Sequence, residues 1–190
     1  MSLSDVFASN VLVRWLRGDP NRYDLVVTMV GVRMGQQMLV LGAQEPGLTA
    51  ALARVTGLSG GAHARAEDAA GAQRLSAAAD EAGVLLDVSH GPVAPLPFTD
   101  GRLDLVVVDA IGRTPTVDYA EVARVLRPGG RVLVVTRTKT EGAPAIEPLH
   151  QAVGAQFKAA RVLDHGNGWA FVEALKPGTP REQSTPSATS

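Results

Sequence analysis

The spacing of apolar residues changes at Gly35. Before it, Phe7, Val11, Leu12, Trp15 and Leu16 recur at the 3.6-residue period, which predicts a helix over 2–17 with a buried stripe. Ser2 and Asp5 have capping-box spacing at its start, and Gly18-Asp19-Pro20 breaks it. A second helix is predicted from Asn21, carrying Tyr23, Val26, Val27 and Val30 up to Gly31. After Gly35, short apolar runs alternate with alanine-rich helical stretches. The strands predicted are 38–41, 62–66, 84–88, 103–108 and 131–136, with helices at 48–56, 70–82 and 118–126 between them. Strands alternating with helices predict an α/β fold, a mostly parallel sheet covered on both faces. Val106-Val107-Val108 and Val132-Leu133-Val134-Val135 are apolar on both faces, as central parallel strands are.

The alternation stops near the carboxyl end. A helix over 146–157 is followed by a strand at 160–163, a glycine-rich turn at 164–168 and a strand at 169–175. Two strands joined by a short turn form a hairpin, so the last of the seven strands must run antiparallel to the rest. From Lys176 onward the chain is rich in Pro, Ser and Thr, which predicts a disordered tail over 178–190. No internal repeat is present.

Composition narrows the functional classes. With 45% hydrophobic and 19% charged residues the 190-residue chain can bury one full core. A net charge of −1 with scattered Lys and Arg argues against nucleic acid or an acidic membrane surface as partner. Without cysteine there is no disulfide, thiolate metal site or cysteine nucleophile. No apolar run approaches the ~20 residues of a membrane span, and the first residues lack a secretory pattern, so a cytoplasmic location is expected.

The candidate chemistry begins at Gly42-Ala43-Gln44-Glu45-Pro46-Gly47, between the first strand and its helix. A phosphate- or nucleotide-binding loop needs glycine for the tight turn and for close backbone approach to a ligand. The following helix offers unpaired N–H groups and the positive end of its dipole. Here glutamine stands where the middle glycine of G-x-G-x-x-G would be. Glu67, 20 residues past Gly47, lies at the distance of a ribose-binding acid in a dinucleotide fold. The loop alone leaves the cofactor open.

The rest of the chain carries a more specific pattern. Leu96-Pro97-Phe98 with Asp100, the strand Asp104-Leu105-Val106-Val107-Val108, and Arg124-Val125-Leu126-Arg127-Pro128-Gly129-Gly130 occur in succession before the closing hairpin. This succession resembles the class I S-adenosylmethionine-dependent methyltransferases, in particular the small-molecule branch that includes the ubiquinone and menaquinone biosynthesis enzymes. The resemblance implies a Rossmann-like, seven-stranded, mostly parallel sheet with an antiparallel last strand. It implies a helical cap over 1–34 and a methyltransferase-like domain over 35–177. It further implies S-adenosylmethionine as cofactor and a small-molecule substrate, and it leaves open a homodimer or a heteromeric partner.

Carried across residue by residue, the resemblance puts Gly42, Ala43, Gln44 and Gly47 under the methionine part of the cofactor, with Gly47 matching if one residue is inserted. Glu67 or Asp68 would take the ribose hydroxyls, and Gly91 would lie by the adenine. Asp109 would stand where substrate and cofactor converge, or else cap the next turn. Three positions depart from the pattern: Val40 and Pro92 replace acids, and Gln44 replaces a glycine. Two lost charged hydrogen bonds at ~1.5–3 kcal/mol each weaken binding by roughly two to four powers of ten. These departures motivate an alternative, a catalytically inactive methyltransferase-like protein acting as partner subunit or binding module. A nicotinamide-dependent enzyme fits the LRPGG turn and the hairpin less well.

No residue stands out as a catalytic base. His90, placed in the loop after the third strand, is a candidate base or else a solvent-exposed loop histidine. His63, His150 and His165 lack a carboxylate or second histidine at ligand spacing, so no metal site is expected. Trp15 and Tyr23 are core residues or a closure over substrate. Arg14, Arg17, Arg22 and Arg33 make the amino-terminal segment locally basic, as an anion-steering patch or a solvated face.

Overall fold

The computed structural model describes residues 22–138, 144–165 and 168–178. Helix α1 (Asp24–Val30) leads into strand β1 (Gln37–Leu41) and helix α2 (Pro46–Thr56). There follow β2 (Gly61–Ala66), α3 (Ala69–Ala82), β3 (Asp87–His90), β4 (Leu103–Asp109) and α4 (Tyr119–Val125). Strand β5 (Leu126–Arg137), helix α5 (Ile146–Gly154) and the hairpin β6 (Lys158–His165)–β7 (Trp169–Leu175) complete it. The seven strands form one sheet in the order β3-β2-β1-β4-β5-β7-β6. The first five pair in parallel, and β7 runs antiparallel to both neighbours, as the hairpin requires.

Alternate residues of each central strand feed opposite faces. On one face Met38, Val40, Leu105, Val107 and Leu133 pack against Val26 and Val30 of α1, Leu48 and Leu52 of α2, and Leu75 of α3. On the other, Leu39, Val106, Val108, Val132 and Val134 meet Val122 and Val125 of α4 and Leu149 and Val153 of α5. Each such side chain contributes on the order of 1.5–3 kcal/mol of burial, so the valine runs fix which strands lie in the middle. Among the described residues, no helix is long and apolar enough to cross a membrane.

Two polar devices join the layers. The LRPGG segment opens β5 and is stitched to the end of β7: Gly129 N–H donates to the Lys176 carbonyl and Lys176 N–H to that of Gly130. The Lys176 ammonium also donates to the Leu126 carbonyl at 2.6 Å. Beside it Glu173, 6% exposed, accepts from Arg131 at 2.8 Å and from Arg161 at 2.6 and 2.8 Å. Arg131 reaches further, donating to the carbonyls of Val30 and Gly31 at 2.7 and 3.2 Å. One guanidinium thus ties the end of α1 to the sheet.

Element boundaries differ from expectation in ways that have local causes. The third strand starts at Asp87 rather than 84, because Val84 N–H still donates to Ala79 at the end of α3 and Leu85 is 76% exposed. Helix α2 begins two residues earlier than expected, with Pro46 in the first turn, where its missing N–H costs nothing. Helix α4 ends at Val125 because Leu126 already belongs to β5, and α5 ends at Gly154 rather than 157. The helix predicted over 2–17, with Trp15, Arg14 and Arg17, lies outside the described residues, as do residues 179–190 of the predicted tail.

Replacing Glu173 by Ala leaves two cations facing a largely buried position. Because Arg131 and Arg161 keep 27% and 65% of their side-chain surface in water, the expected loss is about 2 kcal/mol, below that of a fully buried pair. Denaturant unfolding of Glu173→Ala measures it, and an unchanged midpoint contradicts it.

Candidate cofactor site

The chain leaves β1 through Gly42, whose φ of +100° is in the region that favours glycine. A Cβ there would lie 2.9 Å from the Asp109 carbonyl oxygen, so only a bare backbone can pass between β1 and β4. Gly42 N–H donates to the Arg65 carbonyl at 2.9 Å, which sets the turn against the end of β2. Ala43 is buried beneath it, and Pro46 then opens α2.

Asp109, the last residue of β4, is 1% exposed. Its carboxylate accepts from the backbone N–H of Glu45 at 2.6 Å and of Ile111 at 3.3 Å, with that of Gln44 alongside. These amides favour the charged form, but burial outweighs them and pushes the carboxyl up to about 6. Asp109 therefore holds the glycine loop and also caps the turn that follows it. The Glu45 side chain points the other way, accepting from the Tyr23 hydroxyl and from Arg22 at 3.2 Å. Burial, followed by the Glu45 carboxylate, raises the Tyr23 hydroxyl above its ordinary range. The Tyr23 ring lies over Gly47, where a Cβ would stand 2.9 Å from the hydroxyl oxygen. Tyr23 thus clamps α1 onto the loop.

The two acids after β2 have separate tasks. Asp68 is the N-cap of α3, accepting from Gly71 N–H at 2.7 Å. Glu67 faces the cleft instead and accepts from Arg113 at 2.8 Å and from Thr116 N–H at 3.0 Å. The Arg113 bond, more than that of Thr116, holds its carboxyl below the usual range. Across the cleft Gly91 has φ +137°, and a Cβ there would lie 2.9 Å from an Arg65 guanidinium nitrogen. Arg65 is fixed by two donations to the Pro92 carbonyl, at 3.0 and 3.2 Å.

Leu41, Gly42, Glu67, Gly91, Thr116 and Val117 line one cavity of ≈ 20 Å³ at the carboxyl ends of β1, β2 and β3. It is roofed by the β4–α4 loop, residues 110–118. A wider hollow of ≈ 710 Å³ opens at the opposite end of the strands, beside Arg33, Asp104, Arg127 and Arg131. Size does not make it the better candidate. Asp104 and Arg131 there already hold polar partners, and open parallel sheets bind ligands at the carboxyl ends of their strands.

The remaining candidates fall into place around these two ends. Val40 is 1% exposed in the apolar core, paired with Ala64 and Val107. His90 is the last residue of β3 rather than a loop residue, and its side chain is exposed. His63 does have a carboxylate, Asp87 Oδ2 at 3.1 Å, because the β2–β3 register sets the two side by side. His150 contacts the Ala160 carbonyl at 3.2 Å. Among the described residues no three metal-ligating side chains cluster. Arg22 is engaged with Glu45, and Arg33 lines the opposite hollow. Sequence spacing missed Glu45, Arg65, Arg113 and Thr116, whose partners lie 22 to 49 residues away along the chain.

Residues 34–134 match the family model of a methyltransferase domain. The chain belongs to that family. It is 31% identical to the ubiquinone/menaquinone biosynthesis C-methyltransferase UbiE of Psychromonas ingrahamii, over 77% of this chain and 56% of that protein. The chain therefore spans little more than half the length of the curated relative it matches. Its fold is shared with a SAM-dependent methyltransferase from Aquifex aeolicus, at TM-score 0.70 and 17% identity, covering 83% of this chain and 94% of the other. It is shared too with a SAM-dependent O-methyltransferase from Thermotoga maritima, at TM-score 0.65 and 16% identity, covering 86% and 67%. The sheet with its antiparallel β7 is the Rossmann-like methyltransferase fold, and both solved structures bear the name of enzymes dependent on S-adenosylmethionine. The residues fit such a group: a glycine turn that admits no Cβ, an acid at the end of β2 and a glycine at the end of β3 face one cleft.

Asp109 gives the site a pH signature. Its carboxyl is raised on folding, so its contribution to stability is complete below the unfolded value of 3.8 and is lost as pH rises through about 6. Relative to Asp109→Asn, which does not titrate, wild-type unfolding free energy should fall by about 2 kcal/mol between pH 4 and pH 7. Denaturant titrations of both proteins across that range measure the difference. A difference independent of pH would show that folding does not raise the Asp109 carboxyl.

Proposed function

We propose that this chain is an S-adenosylmethionine-dependent methyltransferase acting on a small molecule. The observation that carries the reading is the convergence of Gly42, Glu67 and Gly91, from the ends of three successive strands, on one cleft. Bound there, the cofactor supplies an electrophilic sulfonium methyl group. Glu67 is the acid for the ribose hydroxyls, since Asp68 is spent on α3. Gly42, Ala43, Gln44 and Gly47 form the floor beneath the methionine part, and Gly91 the wall beside the adenine. Asp109 acts on the ligand indirectly, by fixing the loop amides. Methyl transfer asks chiefly for alignment of nucleophile and methyl, and no side chain lining the cleft is a histidine base, so no catalytic base is assigned.

A small-molecule acceptor is supported by the similarity to a quinone-biosynthesis C-methyltransferase and by a net charge of −1 without a basic stripe. The inactive-partner reading draws on Val40, Gln44 and Pro92, and their placement adds nothing to it. Gln44 contributes a backbone N–H to Asp109, Pro92 a carbonyl to Arg65, and Val40 is core packing.

Calorimetry with S-adenosylhomocysteine tests the cofactor assignment. The wild type should bind, and Glu67→Ala should bind roughly tenfold or more weakly, as loss of a charged hydrogen bond implies. Transfer of labelled methyl to a phenol or quinol panel tests the acceptor class. No heat and no thermal shift at millimolar ligand would overturn the reading.

A further inference from the structure

Both oxygens of Glu67 are already in use: Oε2 accepts from Arg113 and Oε1 from the Thr116 N–H. Among the described residues, 112–117 make no other hydrogen bond, so the polar ties of this loop segment end on Glu67. Its flanks are fixed independently. Ala110 N–H donates to Val135, Thr136 donates to the Ala110 carbonyl, and Asp118 caps α4. Between these anchors lies Gly112, with φ +77° and no atom within 4 Å of where a Cβ would stand, which is open space for a hinge. Beneath the loop the cavity of ≈ 20 Å³ has room for about one water, whereas a nucleoside-sized ligand needs several hundred cubic ångströms.

We propose that residues 112–117 form a latch that closes the cleft by occupying Glu67, and that a nucleoside ligand must displace Arg113 and Thr116 to enter. The proposal rests on the cofactor reading given above. Arg113 is then a competitor of the ligand and not part of its binding site. Its side chain is 57% exposed and that of Glu67 33%, so the ion pair is weak and easily opened, and salt weakens it further. The two ends of one ion pair acquire opposite effects: losing Glu67 weakens binding, and losing Arg113 strengthens it.

Hydrogen exchange of the free protein and calorimetry with S-adenosylhomocysteine, on the wild type and Arg113→Ala, test the latch. The expected result is faster exchange of the Thr116 amide, the backbone N–H that this segment donates to Glu67, in ligand-free Arg113→Ala. Alongside it, affinity should rise about two- to fivefold in about 0.05 M salt, a gain that vanishes in about 1 M salt. Weaker binding by Arg113→Ala would make Arg113 a ligand contact and overturn the latch. Unchanged exchange overturns it whatever binds. Faster exchange with no binding by either protein overturns the cofactor reading, while the closure on Glu67 stands.

Discussion

A single buried carboxylate organises this molecule's functional end. Asp109 sits at the end of the central strand β4 and turns back to accept the amides of Glu45 and Ile111. Were it absent, the glycine turn would have no partner for its backbone donors in a place water hardly reaches. The cost of burying the charge is visible in its raised pKa, and the amides of the turn offset only part of it. Gly42 has to be glycine because Asp109 backbone stands where a Cβ would be. The loop in turn presents Glu45 to Tyr23 and Arg22, which brings α1 down over Gly47.

The cleft follows from that anchoring. With the turn fixed against β2 through Arg65, the ends of β1, β2 and β3 stand close enough for Gly42, Glu67 and Gly91 to share one wall system. The side chains that replace the usual family acids do not break this frame. Val40 packs in the core and Pro92 offers its carbonyl to Arg65, so neither opens the fold. On the opposite end, Arg131 and Glu173 do the corresponding structural task by tying α1 and the hairpin to β5. One end of the sheet is thus locked by ion pairing, and the other carries the cleft proposed for the cofactor.

Much of the fold was legible because its signals are local. Val106–Val108 and Val132–Val135 declare central strands, and the hairpin turn dictates the direction of β7. The third strand slipped because Val84-Leu85-Leu86 reads as apolar while the helix end still holds Val84. The capping role of Asp68 was within reach of sequence reasoning: an aspartate three residues before Gly71, at the head of an alanine-rich helix, is an N-cap. Contacts that cross the fold were not within reach. The pairing of Tyr23 with Glu45, of Arg113 with Glu67 and of His63 with Asp87 depends on loop path and strand register, and spacing along the chain records neither.

Backbone amide NMR during a titration with S-adenosylhomocysteine tests this account most directly. It predicts that the largest shift changes fall on Gly42, Glu67 and Gly91 and on the loop amides held by Asp109. Changes confined to Arg33, Arg127 and their neighbours in the opposite hollow, or no change at all, would contradict it.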